Sequence, residues 1–123
     1  MRIYDLKIGG KVYKACCGLR ALSVLQKRYG TLEEFEKKIK VIDINSEKET
    51  LENEENVVLA DTDIEVVLDT AKLFLEEGAK ATKTEAIKEI ELDAAGDPFG
   101  LAIHLYEIYI GSMLPENEES EKN

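Results

Sequence analysis

The chain has 123 residues, 44% of them hydrophobic, and a net charge of −10. That length fits one globular domain, which would bury roughly two-thirds of its unfolded surface, and the hydrophobic share excludes a chain disordered throughout. The acidity argues against nucleic acid and anionic membrane surfaces as partners, because both need a basic face.

The negative charge is segregated. Asp43 to Asp63 holds eight acids and one lysine, and Pro115 to Asn123 holds four acids and one lysine. The rest of the chain is balanced. The expectation is one α+β domain over residues 1–114, an acidic flexible loop at 43–56 and a disordered acidic tail at 115–123. Met1 to Ile8 lacks the apolar core of a signal peptide, and no apolar run approaches the roughly 20 residues of a membrane helix. Cys16 and Cys17 are adjacent, a spacing that strains a disulfide. Cytosol is the simplest location consistent with these features.

In chain order, Ile3 to Cys16 reads as a β-hairpin. Polar and apolar residues alternate on either side of Gly9-Gly10, which suits a two-residue turn with positive φ. Leu19 to Tyr29 has helical spacing, with Leu19, Leu22, Leu25 and Tyr29 as its stripe and Gly30 as the stop. Thr31 to Glu34 matches a capping box and opens a second helix to about Lys40, with Leu32, Phe35 and Ile39 facing inward. Asp61-Thr62-Asp63 then caps a third helix, Ile64 to Glu77, which Gly78 closes. Thr82 to Glu85 resembles another capping box, predicting a short helix over Lys83 to Glu91 with Ala86, Ile87 and Ile90 inside. Asp97-Pro98 starts the last helix, which runs to Met113. The fold class is thus an N-terminal β-hairpin followed by four to five helices packed as a small helical domain.

No constellation points to catalysis, a metal or a cofactor. Cys16-Cys17 lacks the two-residue spacer of a zinc knuckle or redox pair. The simplest reading buries one cysteine at the strand end and turns the other outward. His104 has Glu107 one turn away but no identifiable nucleophile. The acidic runs Glu47 to Glu55 and Glu116 to Glu121 lack the glycine of a calcium loop. Gly9-Gly10 sits in no phosphate-loop pattern.

The last helix carries the most information. Phe99, Ala102, Ile103, Tyr106, Ile110 and Met113 form one stripe, and Leu101, Leu105, Ile108 and Tyr109 fill others. A helix apolar almost all round is either central in a core or covered in part by a partner.

Three features resemble the tail assembly chaperones of long-tailed bacteriophages, in particular those of phages and prophages of Gram-positive bacteria. They are the hairpin Leu6 to Tyr13, the helix Leu19 to Gly30 followed by Thr31 to Phe35, and the closing helix ending at Tyr109 to Met113 before a charged tail. Asp43 to Glu55 is longer than the family pattern, and the paired cysteines belong to no family signature. The resemblance implies a protein of the infected or lysogenic bacterial cytoplasm, absent from the mature virion. Its partner would be the helical tape-measure protein, kept soluble until tail-tube subunits assemble around it. The resemblance also implies a frameshifted longer form and is compatible with a homo-oligomer. The binding faces expected on this reading are Leu22, Leu25 and Tyr29 of the first long helix and Phe99, Ile103, Tyr106, Tyr109, Ile110 and Met113 of the last. Another acidic interaction module, such as a regulatory adaptor or antitoxin-like protein, is the alternative that composition equally allows.

Overall fold

A computed structural model describes residues 2–39 and 63–114. The acidic 43–56 segment and the 115–123 tail, together with Asp61 and Thr62, lie outside the described residues.

The fold is α+β. An antiparallel hairpin comes first, β1 (Tyr4–Ile8) and β2 (Lys11–Ala15). Gly9 and Gly10 turn it with φ of 60° and 87°, values open to glycine without steric cost. Leu6, Ile8 and Ala15 face the core, whereas Asp5, Lys7 and Lys14 face out, as period-two alternation requires. Among the described helices, α1 (Leu19–Tyr29) and α2 (Leu32–Ile39) follow, then α3 (Ile64–Thr82), α4 (Glu89–Asp93) and α5 (Pro98–Ser112). One cluster of buried apolar side chains joins the hairpin to all five helices.

Local chemistry explains most boundaries. Gly30 ends α1 at φ 93° with its N–H on the Gln26 carbonyl at 2.8 Å. The Thr31 hydroxyl accepts from the Glu34 amide at 3.1 Å and starts α2. Asp63 caps α3 by accepting from the Glu65 and Val66 amides. Asp97 caps α5 by accepting from Gly100 at 2.9 Å, with Pro98 in the first turn.

Four expectations require correction. First, α3 does not stop at Gly78 but runs five residues beyond Glu77, to Thr82. Gly78 is a contact residue, not a cap: a Cβ there would lie 2.6 Å from the Ala15 Cα and closer still to the Lys14 carbonyl. Its absence lets α3 press against β2. The helix ends instead at Lys83, in the left-handed conformation at φ 58°, with the Thr84 amide returning to the Ala79 carbonyl at 2.9 Å.

Second, the short helix begins at Glu89, not Lys83, and buries Leu92. Ala86 and Ile90 are exposed and Ile87 is half-buried. Glu91 ties the helix down: its carboxylate accepts from the Lys88 amide at 3.2 Å and from the Tyr13 hydroxyl at 3.3 Å. Third, the inner stripe of α1 is Ala21 and Leu25, while Leu19 is 85% exposed. Fourth, both cysteines are buried. The Cys16 amide donates to the Phe74 carbonyl at 3.0 Å, which draws the end of β2 against α3 and carries both thiols inward.

Candidate interaction surface

The helix α5 has two apolar faces with different surroundings. Leu101, Ala102, Leu105, Ile108 and Tyr109 lie in the core. Phe99, Ile103 and Tyr106 are half-buried on the neighbouring face. Ile110, Met113 and the following Leu114 are exposed at 39%, 44% and 54%. Phe99, Ile103, Tyr106, Ile110 and Met113 recur at spacings of four, three, four and three, so they form one continuous ridge along the helix.

The predicted binding residues therefore separate into two groups. Leu25 and Tyr109 are fully buried within the chain's own core, which removes them from any partner-facing role in this arrangement. Leu22, Tyr29, Phe99, Ile103 and Tyr106 are half-buried, and Ile110 and Met113 are exposed. Core and surface apolar residues carry the same chemical signature, which is why the sequence did not separate Leu25 and Tyr109 from the others.

An aromatic row connects the two expected binding helices. Tyr29 of α1 lies 5.7 Å from Phe35 of α2, Phe35 meets Tyr109 edge-on at 5.0 Å, and Tyr109 stacks on Tyr106 at 6.1 Å, between ring centroids. Its buried middle, Phe35 and Tyr109, fixes the positions of its half-buried ends, Tyr29 and Tyr106. The Tyr109 hydroxyl donates to Glu36 at 2.6 Å. Burial, with Glu36 adding to it, raises the pKa of Tyr106. The ridge is thus mounted on a rigid aromatic support.

Sequence reasoning missed the exposed apolar residues outside this ridge, including Leu19, Ile64 and Ile90. No periodic signal separates them from core positions, because each sits in an amphipathic pattern whose phase the tertiary packing sets.

Among the described residues, no group of three or more His, Cys, Asp and Glu side chains is placed to hold a metal ion. Burial raises the Cys17 thiol to about 11, and raises Cys16 as well. His104 and Glu107 are both exposed, 3.5 Å apart. A cleft of about 370 Å³ lies between β2 and the 84–88 segment. Its polar side chains engage one another: Tyr13 donates to Glu91, and Lys11 lies 3.8 Å from the same carboxylate. Among the described residues, no helix is long and apolar enough to cross a membrane. No family model matches the chain, nor does any curated protein or any solved structure.

Proposed function

We propose that this chain is a tail assembly chaperone of a long-tailed phage or prophage, which binds the tape-measure protein in the bacterial cytoplasm and performs no chemistry. One observation carries the reading: the ridge from Phe99 to Met113, half-buried or exposed along a helix whose other face already fills the core. A client that is a long amphipathic helix needs such a surface, an apolar stripe against which its own stripe can lie. The ridge is backed by Tyr109 and Phe35, and the charged or ionisable side chains beside it on α5, apart from its tyrosines, are His104 and Glu107. The surplus acid of the 43–63 segment and the tail supports the same reading, because net negative charge keeps a complex with an aggregation-prone client in solution.

The test is co-expression with the tape-measure protein, followed by size-exclusion chromatography with light scattering. Co-elution, and a tape measure soluble only with this chain, is the expected result. Ile103→Lys combined with Ile110→Lys should abolish co-elution while leaving the far-ultraviolet circular dichroism unchanged. A tape measure that stays insoluble, or a double variant that binds as well as the parent, overturns the reading in favour of an acidic interaction module with another client.

A further inference from the structure

Among the described residues the hairpin has one open edge, and its chemistry specifies a partner. Among the described residues the sheet contains β1 and β2 only. The two-residue Gly9-Gly10 turn makes Ile8 and Lys11 a hydrogen-bonded pair, so Leu6–Tyr13 and Tyr4–Ala15 are hydrogen-bonded as well. Lys7–Val12 and Asp5–Lys14 are the intervening pairs. The backbone N–H and C=O groups of Asp5 and Lys7 therefore point away from β2, toward the open edge of β1. On the other side of the sheet, α3 packs against the β2 edge at Lys14 and Cys16, as the Gly78 approach and the Cys16–Phe74 bond record.

An unpaired edge with alternating residues is a template for another strand. The outward side chains of this edge read Ile3, Asp5, Lys7, all exposed. Asp5 already pairs across to Lys14 of β2 at 2.7 Å. Lys7 has no ion-pair partner among the described residues, and Val12, opposite it, is 59% exposed.

We propose that two copies of the chain pair edge to edge through β1, antiparallel about a two-fold axis at Leu6, so that Asp5 of each copy lies opposite Lys7 of the other. This register is selected by three requirements. The outward backbone groups at 5 and 7 must face each other, which this axis achieves with two hydrogen-bonded pairs and four bonds. The core-facing residues Leu6 and Ile8 must stay on the helical side in both copies, which excludes any slip of one residue. Opposite charges must be opposed. An axis at Asp5 or at Lys7 would set like charges directly against each other, which is destabilising. The axis at Leu6 instead builds a row on the solvent face, Lys14, Asp5, then Lys7 of the second copy, alternating in sign across three strands. The two-stranded hairpin becomes a four-stranded sheet, and Lys7 gains a counter-ion. This inference stands apart from the tape-measure reading, since it concerns the chain alone and its test contains no client.

The test is sedimentation equilibrium on the full chain, with variants on the open edge. Lys7→Glu should raise the dimer dissociation constant roughly tenfold or more, because two pairs per dimer change from attraction to repulsion. Lys7→Pro removes an N–H that the hairpin itself does not use, so it should abolish the dimer with the thermal melt of the chain retained at low concentration. A short bismaleimide reports the register. An equimolar mixture of Asp5→Cys and Lys7→Cys chains should cross-link faster than either alone, with buried Cys16 and Cys17 silent. A chain monomeric at every concentration overturns the proposal. So does a dimer that Lys7→Glu leaves intact, or one in which Asp5→Cys alone cross-links as fast as the mixture.

Discussion

The phenol of Tyr109 in α5 donates a 2.6 Å hydrogen bond to the carboxylate of Glu36 in α2, from a ring that is fully buried against Phe35. Burial, with Glu36 adding to it, pushes the Tyr109 pKa well above the usual phenol range. The group therefore remains a neutral donor, and the bond joins two helices through residues 73 apart in the chain.

Tyr109→Phe keeps the ring in its aromatic row and removes only this bond. A hydrogen bond to a charged acceptor contributes about 1.5–3 kcal/mol, and the half-buried Glu36 loses a donor when it goes. The expected result is a loss of about 2 kcal/mol in urea unfolding. Equal or higher stability would mean that water satisfies Glu36 and that the bond contributes nothing.

Gly78 and Lys83 should respond to substitution in opposite directions. Gly78→Ala places a methyl group against the backbone of Lys14 and Ala15, and neither can yield without moving β2 from α3. Forced overpacking of this kind costs about 1–3 kcal/mol, and a backbone-on-backbone clash belongs at the upper end. Lys83→Gly relieves a left-handed residue at the helix end and should add about 1 kcal/mol. Unfolding curves for both variants decide the matter. A harmless Gly78→Ala would show that α3 and β2 are not in contact as described.

Thr70 is fully buried in α3, and among the described residues its hydroxyl has no hydrogen-bond partner. Valine has nearly the same shape without the unsatisfied group. Thr70→Val should therefore raise stability by about 1–2 kcal/mol. A destabilised variant would indicate that the hydroxyl is satisfied in solution, by a water or a rotated side chain.

The sequence made the hairpin, α1, α2 and the start of α5 legible because each has a boundary residue with a specific stereochemical role. Gly9 and Gly10 supply positive φ, Gly30 a stop, and Thr31 and Asp97 caps. The end of α3 was not legible, since Gly78 serves contact, not termination, and the true cap is a lysine with no cap preference. The Thr82 hydroxyl, read as the cap of a new helix, instead donates back to the Gly78 carbonyl at 2.8 Å. The candidate surface was half legible. Spacing put Ile103, Tyr106, Ile110 and Met113 on one ridge. Tyr109, from another stripe, was placed among the binding residues although it is fully buried, against Phe35 of α2, which is distant in the chain.

The same enclosure sets how stability should depend on alkali. The Cys17 thiol, raised from 9.0 to about 11 mainly by burial, holds its proton more tightly in the folded chain than in the unfolded one. Tyr29, Tyr106 and Tyr109 are raised in the same direction, with burial the largest cause in each. For an acid whose pKa rises on folding, the stabilisation is complete below the unfolded pKa and is lost as pH climbs through the folded one. The melting temperature should therefore fall once the pH passes about 9, through the window that Cys17 spans. Thiol labelling checks the cause. At neutral pH neither cysteine should react in the native protein, and both should react once denaturant unfolds it. Rapid labelling of Cys17 in the native state would show that the packing between the β2–α1 connection and Ser112 of α5 opens on its own. The core would then be closed only transiently, and the alkaline loss of stability should disappear with it.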